Sequence, residues 1–510
     1  MTRLLLSGLA LATCLAMALA AAEPQSSKID LSVLDKQSGK PVPCRIHLKD
    51  SAGKAQQVPG LPFFRDHFVC NGTVALELKP GEYTYEIERG PEYSRASGKF
   101  TVKDKGTAAV KAELERLANM PAEGWWPGEL HVHRAVEDIE LLMKAEDLHI
   151  APVITWWNNR NQWATQKRLP EKLLIQFDTN RYYHVMAGED EREGGALLYF
   201  NLPQPLPITG ASREYPSPIK FLSEARKQKN VWIDIEKPFW WDTPVWLATG
   251  QVDSIGLANN HMCRSEVRDA EAWGKPRDAK RLPPPYGNGL WTQEIYYHVL
   301  NSGLRLPPSA GSASGVLPNP VGHNRVYVHT GKELDYDSWW QHLRAGQCFV
   351  TNGPLLRVEA DGKLPGHVFT GGEGREISIE IKAKLTSREP VPFLEIVQNG
   401  QVIRKVPFAE WSKTGSLGAV TLKSSGWFLV RALADDPKTF RFASTGPYYV
   451  EIGSAKSRIS KASAQFFLDW VRERAARIKL TDAEQQKEVL EHHRLAEKFW
   501  QDKVATANAE

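Results

Sequence analysis

Cysteine is scarce, five in 510 residues. No Cys-x-x-Cys pair occurs, which removes the usual structural zinc sites from consideration. Charge of one sign is missing too: 64 Lys+Arg stand against 60 Asp+Glu, a formal net charge of +4. A nucleic-acid binder would show a clustered basic stripe, and none is present. Beyond residue 22 no run reaches the roughly 20 apolar residues that a membrane-spanning helix needs. Neither Gly-x-x-x-x-Gly-Lys nor a strand-linked Gly-x-Gly-x-x-Gly occurs, so a nucleotide cradle has no support. Repeats and low-complexity linkers are absent, and 42% hydrophobic residues exclude a disordered chain. Tryptophan, in contrast, is abundant. Its 17 copies call for deep cores or an aromatic-lined cleft, because indole is costly to leave in water.

The first 22 residues read as a secretory signal. Arg3 is the positive start, Leu4 to Ala20 is apolar, and Ala18-Leu19-Ala20 offers small residues for cleavage. The expected location is secreted or periplasmic. Cys44 and Cys70 fall in one β-rich region, and export permits a disulfide between them, with two buried free thiols as the alternative.

The length predicts several domains. Residues 28–117 alternate with period two, as in Ile29, Leu31 and Val33, and read as a β-sandwich of prealbumin-like type without obvious chemistry. Residues 122–353 alternate short apolar strands with helices, which predicts parallel strands and a (β/α) barrel. The helices expected there include Ile219–Lys229 and Trp291–Leu300. Alternation returns over 354–455, with a hairpin signalled by Asn399-Gly400, and predicts a second β-sandwich. Residues 456–510 form a helical tail, with a capping box at Thr481 and Glu484 and a solvated face around Arg472, Arg474 and Arg477.

In a parallel barrel the working residues project from the C-terminal strand ends. The first strand ends Glu129-Leu130-His131-Val132-His133, which places both imidazoles on one face as half of a metal site. Glu189 follows the third strand and adds an oxygen, and His261, after the fifth, a third nitrogen. The set suits one divalent ion, Zn²⁺, Mn²⁺ or Fe²⁺. Glu191 or Glu236 is the candidate general base, and Asp234 a further carboxylate. Lys237 reads as an ion-pair partner of Glu189 or Glu236, or as a carbamylated oxygen ligand. Trp126, Trp156, Trp157, Trp240 and Trp241 fall in pairs around successive strands, as Trp125-Trp126 does before the first. They suggest an aromatic-walled mouth for sugar rings or aromatic groups, with core packing as the alternative. Arg325, with Arg134, Arg192 and Arg264, could meet an anionic group.

Several motifs in order resemble the PHP (polymerase and histidinol phosphatase) metallohydrolases, of the exported CehA/McbA type. They are Gly128-Glu129-Leu130-His131-Val132-His133, Gly188-Glu189-Asp190-Glu191, Gly303-Leu304-Arg305-Leu306-Pro307, and Arg344 to Val350 leading into Thr351-Asn352-Gly353-Pro354. The resemblance spans Gly124 to Pro354. It implies a distorted PHP-like (β/α) barrel between the two sandwiches, and metal-dependent hydrolysis of a small-molecule or glycan substrate.

This chain departs from that pattern where the family keeps ligands. Trp156-Trp157 stands in place of Asp-His, Glu236-Lys237-Pro238 in place of His-Pro, and Gly311-Ser312-Ala313-Ser314-Gly315 in place of Gly-Ser-Asp-Ser-His. The expectation is therefore a single ion on His131, His133 and Glu189, with His261 or a carboxylate of Glu236 or Asp234 completing the set. The alternative is a catalytically degenerate barrel that binds a glycan or aromatic ligand without turnover.

Overall fold

The computed structural model describes residues 26–104 and 106–510. The signal segment expected over residues 1–22 lies outside the described residues. Among those described, no helix is long and apolar enough to cross a membrane.

Two sheets build the N-terminal region. Strands Ser27–Asp35, Thr73–Leu78 and Thr107–Leu114 form one; Phe63–Phe64, His67–Cys70, Cys44–Asp50, Gly81–Glu88 and Ala96–Val102 form the other. The period-two pattern works as expected on the first strand, where Ile29, Leu31 and Val33 are buried and Lys28 and Asp30 are exposed. These residues share a core with Leu76 of their own sheet and with Ile46, Leu48 and Phe68 of the opposite one. Each such side chain contributes about 1.5–3 kcal/mol on burial.

The PHP-like (β/α) barrel between two separate sandwiches is not what the middle and C-terminal regions form. The chain is β-dominated, with 37% of residues in strands against 20% in helices. Strand Ile150–Trp157 runs parallel to Tyr182–Arg192, but Tyr182–Arg192 turns back as an antiparallel hairpin with Gly195–Phe200. Gly195–Phe200 is again antiparallel to Trp232–Ile235, and only then do Trp232–Ile235, Ser254–Ala258 and Pro308–Ala310 run parallel. The expected ring of β/α units fails at these points. Between Ile150–Trp157 and Tyr182–Arg192 the chain supplies two short strands, Arg160–Asn161 and Leu174–Gln176, rather than a crossover helix.

The ladder does not stop at Pro354 either. Arg325–His329 pairs with Trp125–Gly128 on one side and Cys348–Thr351 on the other, and Cys348–Thr351 pairs with Phe442–Thr445. Strands expected in a separate C-terminal sandwich therefore belong to the same large mixed sheet. Only Leu355–Ala360, Ile377–Thr386 and Ser416–Leu422 form a sheet of their own. The Asn399-Gly400 hairpin is formed between Phe393–Gln398 and Gln401–Pro407, with both turn residues at positive φ, 49° and 86°. Such a pair matches the twist of the flanking strands.

Helices Pro218–Ala225 and Gly287–Asn301 occupy the expected places. The tail is two helices, Lys461–Arg477 and Ala483–Ala505. The second is capped by Asp482, whose Oδ1 accepts from the amides of Glu484 and Gln485 at 2.9 and 3.0 Å, not by Thr481. Phe467, Trp470, Val471 and Trp500 bury the apolar stripe. Arg474 is not solvated: it is buried, bonding Asp242 at 2.7 Å and Glu214 at 2.6 Å. The tail is thereby fastened to the loop that follows Trp240 and Trp241.

Candidate metal centre

His131 and His133 leave the end of strand Trp125–Gly128 in extended backbone, with Val132 between them bridging Val153 on one side and Ser314 on the other. The amide of His133 bonds the carbonyl of Ser314 at 2.8 Å, and the amide of Leu130 that of Ala310 at 2.9 Å. Segment Gly311–Gly315 thus lies directly against the two histidines. A Cβ on Gly311 would sit 2.3 Å from the His131 Cβ, and one on Gly315, at φ +103°, would sit 2.1 Å from the His133 carbonyl oxygen. The small residues of this segment are needed for the close approach of the histidine-bearing chain. Glu129 anchors the same segment, accepting from the amides of Ser312 (2.6 Å) and Gly322. Burial pushes its carboxyl up to about 7, against those hydrogen bonds.

Three donors converge. His131 Nε2 and His133 Nε2 are 3.0 Å apart, Glu189 Oε2 is 3.0 Å from His133 Nε2 and 3.5 Å from His131 Nε2, and all three residues are largely buried. An ion about 2.1 Å from each donor sets neighbouring donors about 3.0 Å apart in octahedral and about 3.4 Å apart in tetrahedral geometry. The triangle fits that range. Glu189 Oε2 approaches both rings without hydrogen-bond alignment and is buried without a hydrogen-bond partner among the described residues. Such an orphan is costly unless something else meets it.

The surroundings orient the donors. His131 Nδ1 lies 3.4 Å from Glu236 Oε1, a charge contact without hydrogen-bond alignment, so the ring's far nitrogen faces a carboxylate while Nε2 faces the cluster. This arrangement is how metal-bound histidines are generally held. Glu236 is in turn ion-paired with Lys237 and accepts from Trp240 Nε1 at 3.1 Å, with the ammonium 4.3 Å from the Trp240 ring. Burial opposes the charged form of Glu236, but Lys237 and His131 hold its carboxyl below the usual range. Burial likewise opposes a charged His131, yet Glu189 and Glu236 raise it to about 10. Burial wins at His133, which is lowered. Glu191 is pushed up to about 7 by burial and then by the charge of Glu189. Asp234 is also near 7, raised by burial against hydrogen bonds from the Ser254 and Ser309 hydroxyls.

Other expected residues fall elsewhere. Lys237 is the ion-pair partner of Glu236. His261 is not among the three converging donors. Burial and Lys237 lower it to about 3, which puts it in the same electrostatic neighbourhood but outside the cluster.

The aromatic mouth is largely core. Trp126, Trp156, Trp240 and Trp241 are all buried. Trp156 lies flat on Gly188, where a Cβ would be 1.8 Å from its ring, and stacks on Tyr199 at 5.9 Å. Trp126 donates to the Gly331 carbonyl at 2.9 Å, and Trp241 packs under Arg477. Trp240 touches the site from the core side, through Glu236 and Lys237, and Trp157 flanks it half-buried, with its ring 5.0 Å from His133. Arg325, 1% exposed, bonds the carbonyls of Gly322 and Glu146 and serves the interior, not a ligand.

A second group, His47, Asp66 and His67, is also close enough to hold an ion. The sequence alone assigns no chemistry to this region, since only the pairing of strands brings His47 beside Asp66-His67. Asp66 takes His47 Nδ1 at 3.1 Å and His67 Nδ1 at 2.9 Å, and Arg45 lies 2.8 Å from His47 Nε2. Arginine can only donate, so His47 Nε2 must accept and Nδ1 must carry the proton that Asp66 receives. Its donors are therefore already satisfied by hydrogen bonds, unlike those of the first group.

No family model matches this chain, and no curated protein does. Two solved structures of a pilus-presented adhesin match a short stretch at 14% identity and a TM-score of 0.14. The matches cover 19% and 18% of this chain and 28% and 27% of the adhesin chains. A likeness so partial carries no argument about fold or function.

Proposed function

We propose that the protein is a metal-dependent hydrolase with one divalent ion on His131, His133 and Glu189. The observation that carries this reading is the triangle of donors 3.0–3.5 Å apart, with Glu189 Oε2 buried and lacking a hydrogen bond. The motifs resembling PHP metallohydrolases favour the same residues, although the barrel of that family does not carry over. Zn²⁺, Mn²⁺ and Fe²⁺ all suit two imidazoles and a carboxylate. Such an ion would supply Lewis acidity, bringing the pKa of a water down toward about 7.

The chain's own residues have separable parts. Glu236 orients His131 through Nδ1, and Lys237 keeps Glu236 charged. Glu191, near neutrality in its burial, is suited to accept a proton around pH 7. Trp157 beside His133 offers one apolar wall for substrate. The reading of a degenerate, glycan-binding site has two motives, the missing family ligands and an aromatic-walled mouth. Burial of Trp156, Trp240 and Trp241 removes the second, and the first is answered only by the three donors that remain together. A panel of ester, amide and phosphoester substrates, run with and without chelator, tests the proposal. Turnover abolished by chelator and by Glu189→Gln supports it; turnover indifferent to both rejects it.

A further inference from the structure

We propose that Cys44 and Cys70 are a modification site, closing into a cross-strand disulfide that fastens hairpin Phe63–Cys70 to strand Cys44–Asp50. The two cysteines are direct partners in the antiparallel register of these strands. Both are buried, and their sulfurs are 4.0 Å apart. Directly opposed residues of antiparallel strands have Cα atoms about 4.5–5.5 Å apart, within the range a disulfide spans, and the bond itself is about 2.05 Å. The other described cysteines are placed differently: Cys263 donates its thiol to the Asn260 carbonyl at 3.3 Å, and Cys348 lies in the large sheet.

The chemistry is thiol–disulfide exchange with an external disulfide. The thiolate of one cysteine attacks a sulfur of R–S–S–R, forming a mixed disulfide and releasing one thiolate RS⁻. The second cysteine, as thiolate, then attacks its partner's sulfur and expels the other RS⁻. The two cysteine thiols lose two electrons and two protons; the external disulfide gains both and leaves as two RSH. Because both sulfurs are buried in the folded chain, the exchange belongs to folding or to transient opening of the hairpin.

The position gives the bridge a consequence. The hairpin reaches the chain around the two candidate histidines: Arg65 donates to the Val316 carbonyl at 2.8 Å, and the Arg134 guanidinium lies 5.1 Å from the Phe64 ring. Val69 shares a buried cluster with Val132, the residue between His131 and His133. Asp66, within the same hairpin, is tied to His47 on the strand that Cys44 begins. A closed bridge would hold this contact in place whether or not a metal is bound, so it does not rest on the proposed hydrolase activity.

The test uses the full chain recovered from an oxidising compartment of an expression host, denatured in excess N-ethylmaleimide and digested without reductant. A peptide joining Cys44 to Cys70, absent after reduction and absent in protein made in a reducing cytoplasm, is the expected result. The melting temperature of the oxidised protein should also exceed that of the same protein with the bond reduced. Recovery of Cys44 and Cys70 as separately alkylated peptides from the oxidising compartment, or joined to Cys263 or Cys348 instead, would overturn the proposal.

Discussion

His131 Nε2 and His133 Nε2 lie 3.0 Å apart, while His131 Nδ1 faces Glu236 at 3.4 Å. The two rings thus turn matching nitrogens toward Glu189, and the carboxylate behind His131 fixes which nitrogen that is. Removing the orienting group should weaken the ion without removing a ligand. Glu236→Gln is expected to lower metal affinity about 10–100-fold, the usual cost of an outer-shell partner, whereas His131→Ala should abolish stable binding. Titration with a competing chelator measures both. Equal affinities in wild type and Glu236→Gln would remove Glu236 from this role.

Metal binding should release a proton. Without metal, His131 is held up at about 10 by Glu189 and Glu236, so near neutral pH its ring is protonated, and an ion must displace that proton to reach Nε2. Apparent affinity should therefore rise with pH between about 6 and 9. Calorimetric titrations in buffers of different ionisation enthalpy read the release directly; an enthalpy independent of buffer would contradict it.

Gly311 and Gly315 should tolerate no side chain. Their Cβ positions would fall 2.3 Å from His131 Cβ and 2.1 Å from the His133 carbonyl oxygen. Gly311→Ala is expected to cost about 1–3 kcal/mol by overpacking and to lose metal with it. Gly315→Ala adds the strain of φ +103°. Denaturant unfolding and metal content report the two effects separately, while Gly210→Ala, a positive-φ glycine in open space, isolates the backbone strain alone.

Stability should fall in mild acid through the second histidine pair. Burial lowers His47 to about 4 and His67 to about 3, both below the ordinary imidazole value of 6.5. Between these values and 6.5 the unfolded chain binds more protons than the folded one. The contribution of this pair is therefore complete above pH 6.5 and declines as pH drops toward 4. Each group contributes a slope of about 1.4 kcal/mol per pH unit within its window. Melting temperatures from about pH 7 to about pH 4.5, compared with a His47→Gln, His67→Gln variant, check this; a variant with an unchanged slope would assign the acid sensitivity elsewhere.

The tail helix depends on a buried ion pair. Arg474→Ala would leave Asp242 and Glu214 without their guanidinium, at a cost of about 3–5 kcal/mol for breaking a buried pair from one side. Asp242 lies beside Trp241, so limited proteolysis of the tail should quicken in the same variant. An intact tail and unchanged melting temperature would contradict the docking.

The convergence of His131, His133 and Glu189 is more legible in the sequence than the fold is. His131 and His133 share a face because extended backbone repeats every two residues, and Glu189 is legible as the carboxylate that ends a nearby strand. What periodicity cannot distinguish is an indole in a cleft from an indole in a core. Trp156 is buried because Gly188, distant in sequence, has no Cβ, and only the parallel pairing of their strands reveals it. The expected barrel fails at the Glu193-Gly194 turn, where the chain folds back as a hairpin, Arg192 opposite Gly195. Strand direction is set by such turns and by partners far along the chain, and alternating apolar segments do not encode it. The His47–Asp66–His67 group is invisible in the sequence for a like reason, its members being joined only across strands.

Metal analysis of the purified full chain is the most direct test of the central claim. Elemental analysis of wild type should find about one divalent ion per chain, and His131→Ala, His133→Ala and Glu189→Gln should each lose it while His47→Gln, His67→Gln keeps it. Metal content that is the same in the first three variants as in wild type, or that is lost only in the His47 and His67 variant, would contradict a centre built on His131, His133 and Glu189.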